Sequence, residues 1–132
     1  MIVGIGIDIC NTRRMEKVLQ KSYSQNFKKK VFSDEEIKYC EKMKNNAPHF
    51  AVRWAIKEAF YKALPENLQN FSSWKSVEYI NDGEKKPFVN IRDEFLSSKM
   101  REENISNIHC SISHETDVCV AQIILENNGK RE

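Results

Sequence analysis

The chain has 132 residues, 30% of them charged and 40% hydrophobic, with a formal net charge of +2. This is an ordinary soluble balance, enough for one domain with a real core and too short for two. No apolar run approaches the roughly 20 residues of a membrane-spanning helix.

Residues 1–9 alternate. Val3, Ile5, Ile7 and Ile9 point one way, and Gly4, Gly6 and Asp8 the other, which is the period of a strand. Met1 leads straight into this segment, so no signal peptide is expected. Two glycines on one face leave room for close approach, and the small-residue face of the 51–64 segment is one element that could fill it. Asp8 ends that bare face. A lone Asp there is usually a turn-former or a cap, but Thr12 is the better cap for the next helix, which leaves Asp8 open to other work.

Residues 12–22 read as that helix, with Met15, Val18 and Leu19 inward. Ser24 reads as the cap of a second short helix ending at Lys30 or Val31. Ser33 and Glu36 form a capping box that starts a third, through about Met43. Residues 11–44 carry ten Lys and Arg against five Asp and Glu, a local excess of +5. Such a basic third suits an acidic partner (nucleic acid, an acidic protein or phosphates), or it is a solvated helix face.

Residues 51–64 place Val52, Ala55, Ile56, Ala59, Phe60 and Ala63 at the spacing of one helix face. Pro48 precedes this helix and Pro65 stops it. Glu58 and Lys62 are i, i+4 neighbours on one flank of the stripe, with Arg53 and Lys57 on the other. On spacing alone, Glu58 and Lys62 read first as a surface ion pair worth about 0.3–0.5 kcal/mol. The second reading is an acid and a cation held on a rigid element for chemistry.

Residues 66–73 are polar and irregular. Residues 74–80 are strand-like, Asn81-Asp82-Gly83 is a turn, and residues 87–91 return as a strand. Pro87 lacks an N–H and belongs at that strand's start. Residues 92–103 read as a helix with Phe95, Leu96 and Met100 inward. Residues 108–114 and 118–125 form a hairpin around Glu115-Thr116-Asp117. A single domain over residues 1–125 is followed by a polar tail, 126–132. The order β-α-α-α-β-β-α-β-β predicts an α+β fold, a mostly antiparallel sheet with helices packed on it.

Cys10, Cys40, Cys110 and Cys119 form no C-x-x-C pair and match no zinc spacing. They indicate free thiols in a reducing, cytoplasmic setting. In Ile108-His109-Cys110-Ser111-Ile112-Ser113-His114, two histidines flank serines, and His114 leaves the strand at the turn, a good place to meet a ligand. No G-x-S-x-G elbow accompanies the serines, which argues against a serine hydrolase. The histidines lie on opposite faces and cannot share one zinc ion. Asp8 and Glu58, with one lysine nearby, would suit a hard cation such as Mg²⁺ bridging to phosphate oxygens.

Four segments together resemble the small, holo-acyl-carrier-protein synthase group of the 4′-phosphopantetheinyl transferases. They are Gly4-Ile5-Gly6-Ile7-Asp8-Ile9, Phe32-Ser33-Asp34-Glu35-Glu36-Ile37, the 51–64 helix with Trp54-Ala55-Ile56-Lys57-Glu58-Ala59-Phe60-Tyr61-Lys62-Ala63, and Ser111-Ile112-Ser113-His114. The resemblance runs from Met1 to about Leu125. It implies transfer of phosphopantetheine from coenzyme A to a serine of apo-acyl carrier protein, with Mg²⁺, in fatty acid biosynthesis.

The resemblance implies Asp8 and Glu58 as metal ligands, and Glu58 and Lys62 as catalytic residues. It implies nucleotide contacts from Arg53, Lys62, Lys86, Pro87, Ser113 and His114. A carrier-binding face would comprise Arg14, Met15, Lys17, Lys21 and Lys28. It further implies a homotrimer with active sites between subunits, and neither nucleic acid nor membrane as a partner. Two positions depart from the family pattern: Pro65 stands where a glycine is usual, and Lys85-Lys86-Pro87 replaces Gly-Lys-Pro. A non-catalytic coenzyme A or nucleotide-binding module and a nucleic-acid-binding protein are the competing classes; the basic third lacks the interleaved aromatics of a single-strand binder.

Overall fold

In the computed structural model, which describes residues 1–129, β1 (Ile2–Asn11) lies directly on α4 (Ala47–Ala63). A Cβ on Gly6 would fall 1.8 Å from the Ala59 carbonyl oxygen, and one on Gly4 equally close to that of Ala63. No side chain fits between these two backbones. The bare face of the strand and the alanine face of the helix are thus complementary halves of one contact.

Between these elements run α1 (Thr12–Leu19), α2 (Ser24–Val31) and α3 (Asp34–Glu41). After α4 come α5 (Glu66–Gln69), β2 (Val77–Ile80), β3 (Phe88–Ile91), α6 (Glu94–Glu102), β4 (Asn107–Glu115) and β5 (Val118–Glu126). All strand pairs are antiparallel: one sheet has the order β1-β5-β4, and β2 pairs with β3 in a separate ribbon. The expected α+β class and antiparallel sheet are what the chain forms. No helix among the described residues is long and apolar enough to cross a membrane.

Local chemistry shifts several expected boundaries. Asn11, not Thr12, caps α1, its side chain accepting from the Arg14 N–H. Ser24 is the first residue of α2 rather than its cap. Pro48 sits inside the first turn of α4, where a missing N–H does no harm. The 66–73 stretch contains α5, and residues 74–76 form a 3₁₀ turn before β2. β5 extends to Glu126, one residue into the expected tail, whose residues 130–132 lie outside the described part. The capping box at Ser33 and Glu36 forms as read.

The core centres on Phe32, Phe50, Ile56, Phe60, Leu96, Ile123 and Leu125, all fully buried. A charged pair is buried with them. Lys57 Nζ lies 2.8 Å from Glu36 Oε1 and also donates to the carbonyls of Trp74 and Val77. Glu36 meanwhile accepts the N–H groups of Ser33 and Tyr79. Removing one partner of such a pair costs about 3–5 kcal/mol because the other is left charged and dry.

The opposite face of the three-stranded sheet is uncovered. Ile5, Ile7 and Ile9 are 54%, 56% and 64% exposed. They stand in register with Ile124, Gln122 and Val120 of β5.

Candidate active site

The β1–α4 contact sets the first group of functional side chains. Asp8 closes the glycine face of β1, where the strand leaves the alanine stripe. Lys62 Nζ reaches across from the last turn of α4 and donates to Asp8 Oδ1 and to the Ile7 carbonyl, both at 3.1 Å. The expected i, i+4 ion pair with Glu58 is therefore replaced by a bond between elements. Glu58 stands half-buried beside them. Burial raises its carboxyl above the usual range, the nearby Asp8 charge raises it further, and Lys62 pulls it back. Asp8, Glu58 and Lys62 thus form one electrostatic cluster: two acids that repel, with a single cation held on one of them.

A second group lies on the other flank of α4. Arg53 is five residues before Glu58, about 140° around the helix axis. It is buried, donates from Nη1 to the His49 carbonyl, and lies over the Tyr39 ring at 4.4 Å and the Tyr79 ring at 5.3 Å. Its Nε is buried with no hydrogen-bond partner among the described residues, an unusual state for a guanidinium N–H. It borders a cavity of about 730 Å³ that His114, Thr12, His49 and Asn81 also line.

Arg53 and His114 thus line the same cavity. Ser113 is exposed on the far side of its strand, in register with Val120. Lys86 is exposed and Pro87 half-buried at the start of β3, and neither lines this cavity.

Arg14 and Lys17 of α1, and Lys21 just after it, are available to solvent. Two expected carrier contacts are not. Met15 is only 5% exposed because it is the core-facing residue of α1. Lys28 is 8% exposed, its ammonium 2.8 Å from Glu41 Oε2 and above the Phe50 ring. Arg13 is also engaged, with Asp117 at 3.0 Å.

Periodicity missed the rings around Arg53. Tyr39 and Tyr79 belong to α3 and β2, and only the tertiary fold brings them to α4. The single local signal was the cation itself, on the flank of the α4 stripe opposite Glu58.

The fold and these clusters define a small α+β domain with an acid–lysine–acid group and a separate arginine–histidine pocket, the chemistry of a protein that handles phosphates. The 4′-phosphopantetheinyl transferase superfamily matches residues 4–121. Holo-[acyl-carrier-protein] synthase of Geobacter sp. (strain M21) is 38% identical over 128 residues, covering 96% of this chain and 99% of that one.

The crystal structure of the synthase from Neisseria meningitidis superposes with a TM-score of 0.81 at 27% identity, covering 96% of this chain and all of the other. That from Bacillus anthracis, in complex with CoA (3′,5′-ADP), gives 0.75 at 32% identity, covering 97% and 99%. The chain belongs to the 4′-phosphopantetheinyl transferase superfamily.

Proposed function

We propose that the chain transfers the 4′-phosphopantetheine group of coenzyme A to a serine of apo-acyl carrier protein, giving holo-carrier for fatty acid biosynthesis and adenosine 3′,5′-bisphosphate. The observation that carries this reading is the Asp8–Lys62 bond beside a Glu58 carboxyl raised above its ordinary range. The Bacillus anthracis relative, solved with the nucleotide of coenzyme A, supports the same substrate here.

In the reaction, the serine oxygen forms a bond to the phosphorus that bears pantetheine. The bond from that phosphorus to the bridging oxygen of the pyrophosphate breaks, and adenosine 3′,5′-bisphosphate leaves with the electron pair. Glu58 takes the serine proton. Its raised pKa makes it a better base than an ordinary carboxylate. Lys62 stands where charge grows on the pyrophosphate oxygens and stabilises it. Arg53 and His114 hold the nucleotide end, the unpartnered Arg53 Nε being a donor ready for a phosphate oxygen.

Among the described residues, no three metal-type side chains cluster, but Mg²⁺ is commonly held by one or two carboxylates and the substrate's phosphates. Asp8 and Glu58, all-oxygen donors whose charges repel one another, fit that ion. When bound, Mg²⁺ supplies neutralisation of the pyrophosphate charge.

The two groups face opposite flanks of α4, so one chain's pocket does not reach its own acids. A homotrimer with each site between neighbours is part of the proposal, and the uncovered Ile5, Ile7 and Ile9 face supports such an assembly. Arg14, Lys17 and Lys21 form the carrier-facing surface. A reducing, cytoplasmic setting is part of the same reading and is supported by four free cysteines. Intact-mass measurement of an apo-carrier incubated with the chain, coenzyme A and magnesium tests the proposal. Transfer adds one phosphopantetheine; a non-catalytic binding module leaves the carrier mass unchanged.

A further inference from the structure

Cys10 and Cys119 stand directly opposite one another on β1 and β5, and both are buried. Cys119 is also in register with His114 of β4, so His114, Cys119 and Cys10 form one row across the sheet. The two thiols interact directly. The Thr12 N–H donates to the Asp117 carbonyl at 2.9 Å. The cysteines lie two steps further along the same register, so they are a hydrogen-bonded pair, with Cα atoms about 5.5 Å apart. A disulfide spans about 4.4–6.8 Å between Cα atoms. The other thiols are placed differently: Cys40 is on α3, and Cys110 stands opposite Ile123 with its sulfur toward the Pro87 carbonyl.

We propose that Cys10 and Cys119 are a peroxide-responsive thiol pair whose disulfide switches the site off. Cys119 lines the cavity of Arg53 and His114, which gives a small oxidant a route to it. The Cys119 sulfur attacks one oxygen of hydrogen peroxide, the O–O bond breaks, and the leaving hydroxide takes the thiol proton as water. The Cys10 sulfur then attacks the sulfenic sulfur, the S–O bond breaks, and a second water leaves with the Cys10 proton. Two thiols are oxidised by two electrons, and peroxide is reduced to two waters.

The effect on the site follows from the spacing. Directly opposed Cβ atoms are about 4.5–5.5 Å apart, and a disulfide needs about 3.8 Å. Closure draws β1 and β5 together at this row. Asp8 lies two residues away on β1, and the cavity wall is at Cys119 itself. A displacement of about 1 Å in a positioned group can cost about 10²-fold in rate. The bridge stands apart from the transferase reading; only the loss of rate rests on it.

The test exposes the reduced full chain to hydrogen peroxide and alkylates the thiols that remain. Digestion with trypsin and a glutamate-specific protease parts Cys110 from Cys119 at Glu115. Mass spectrometry should find the Cys10 peptide joined to the Cys119 peptide, with Cys40 and Cys110 alkylated. Transfer should fall about 10²-fold on oxidation and return with dithiothreitol. Cys119→Ala and Cys119→Ser, each compared with its own untreated rate, should not respond to peroxide. Thiols that all stay alkylatable where free glutathione is oxidised, or a different pairing, would overturn the pair. A bridge that leaves the rate unchanged, or an equal loss in the Cys119 variants, would overturn the switch. Reduced protein without transfer activity would count against the transferase reading, and the peptide map would still decide the pair.

Discussion

Lys62 reaches from α4 to β1 and bonds Asp8 at 3.1 Å, although Glu58 stands one turn earlier on its own helix. The geometry follows from the glycines. With no side chains between β1 and the alanine face, the strand lies close enough for a lysine on the helix to reach its acid. One cation then serves two carboxylates, directly at Asp8 and through its field at Glu58.

Lys62→Ala is expected to lose about 10²–10³ in transfer rate, the scale of removing one charge-stabilising donor. Lys62→Arg should recover little, because a planar fork does not replace a point charge at a crowded phosphate. Asp8→Ala and Glu58→Ala should each abolish transfer with the fold intact by circular dichroism. Wild-type kinetics in the Lys62→Ala variant would make the Asp8–Lys62 bond merely structural.

The raised Glu58 carboxyl has consequences for both rate and stability. As a base it works deprotonated, so the acid limb of the rate profile should lie above the ordinary carboxylate range. Asp8→Asn removes a raising charge and should lower the Glu58 titration point; Lys62→Met removes the lowering one and should raise it. NMR titration of the Glu58 side chain checks both directions. For stability, an acid raised on folding favours the native state below its unfolded pKa, and that contribution is lost as pH rises through the folded value. Glu58→Gln should therefore be more stable than wild type at neutral pH, with the difference shrinking on acidification. A less stable Glu58→Gln would contradict the sign.

Gly6→Ala should destabilise by about 1–3 kcal/mol or more, the range for overpacking, because the new methyl would meet a backbone carbonyl rather than a movable side chain. Denaturant unfolding measures this directly. A variant as stable as wild type would mean that β1 and α4 can part without loss.

Much of this was legible in the chain itself. The alternation of residues 1–9 separated the glycine face from the isoleucine face, and helix spacing put Glu58 and Lys62 on one flank of α4 with Arg53 on the other. These are local periods, which the fold must respect. The misjudged positions depend on what packs from elsewhere. Met15 and Lys28 are on a basic stretch, yet α4, Phe50 and Glu41 cover them. The capping box identified Glu36, but its partner Lys57 is 21 positions away, and nothing in either local pattern joins them.

Carrier recognition through α1 should be electrostatic. With Arg13 held by Asp117 and Lys28 buried, Arg14, Lys17 and Lys21 are exposed cations there, with Lys29 and Lys30 of α2 beyond them. Arg14→Glu should raise the KM for carrier and leave that for coenzyme A nearly unchanged. Transfer at low carrier should fall steeply with salt, as the screening length drops from about 10 Å at 0.1 M to about 3 Å at 1 M. A change in the KM for coenzyme A instead would assign this face to the nucleotide.

Two groups on opposite flanks of α4 should form one transferase site only when chains assemble. Glu58→Gln and Arg53→Gln, each inactive alone, remove one group apiece. Co-refolded in equal amounts, they would form mixed trimers in which about a quarter of the shared sites carry both intact groups. Intact-mass analysis of the carrier should then show phosphopantetheine added at about that fraction of the wild-type rate. A mixture that assembles as trimers yet stays as inactive as its parents would contradict the shared site.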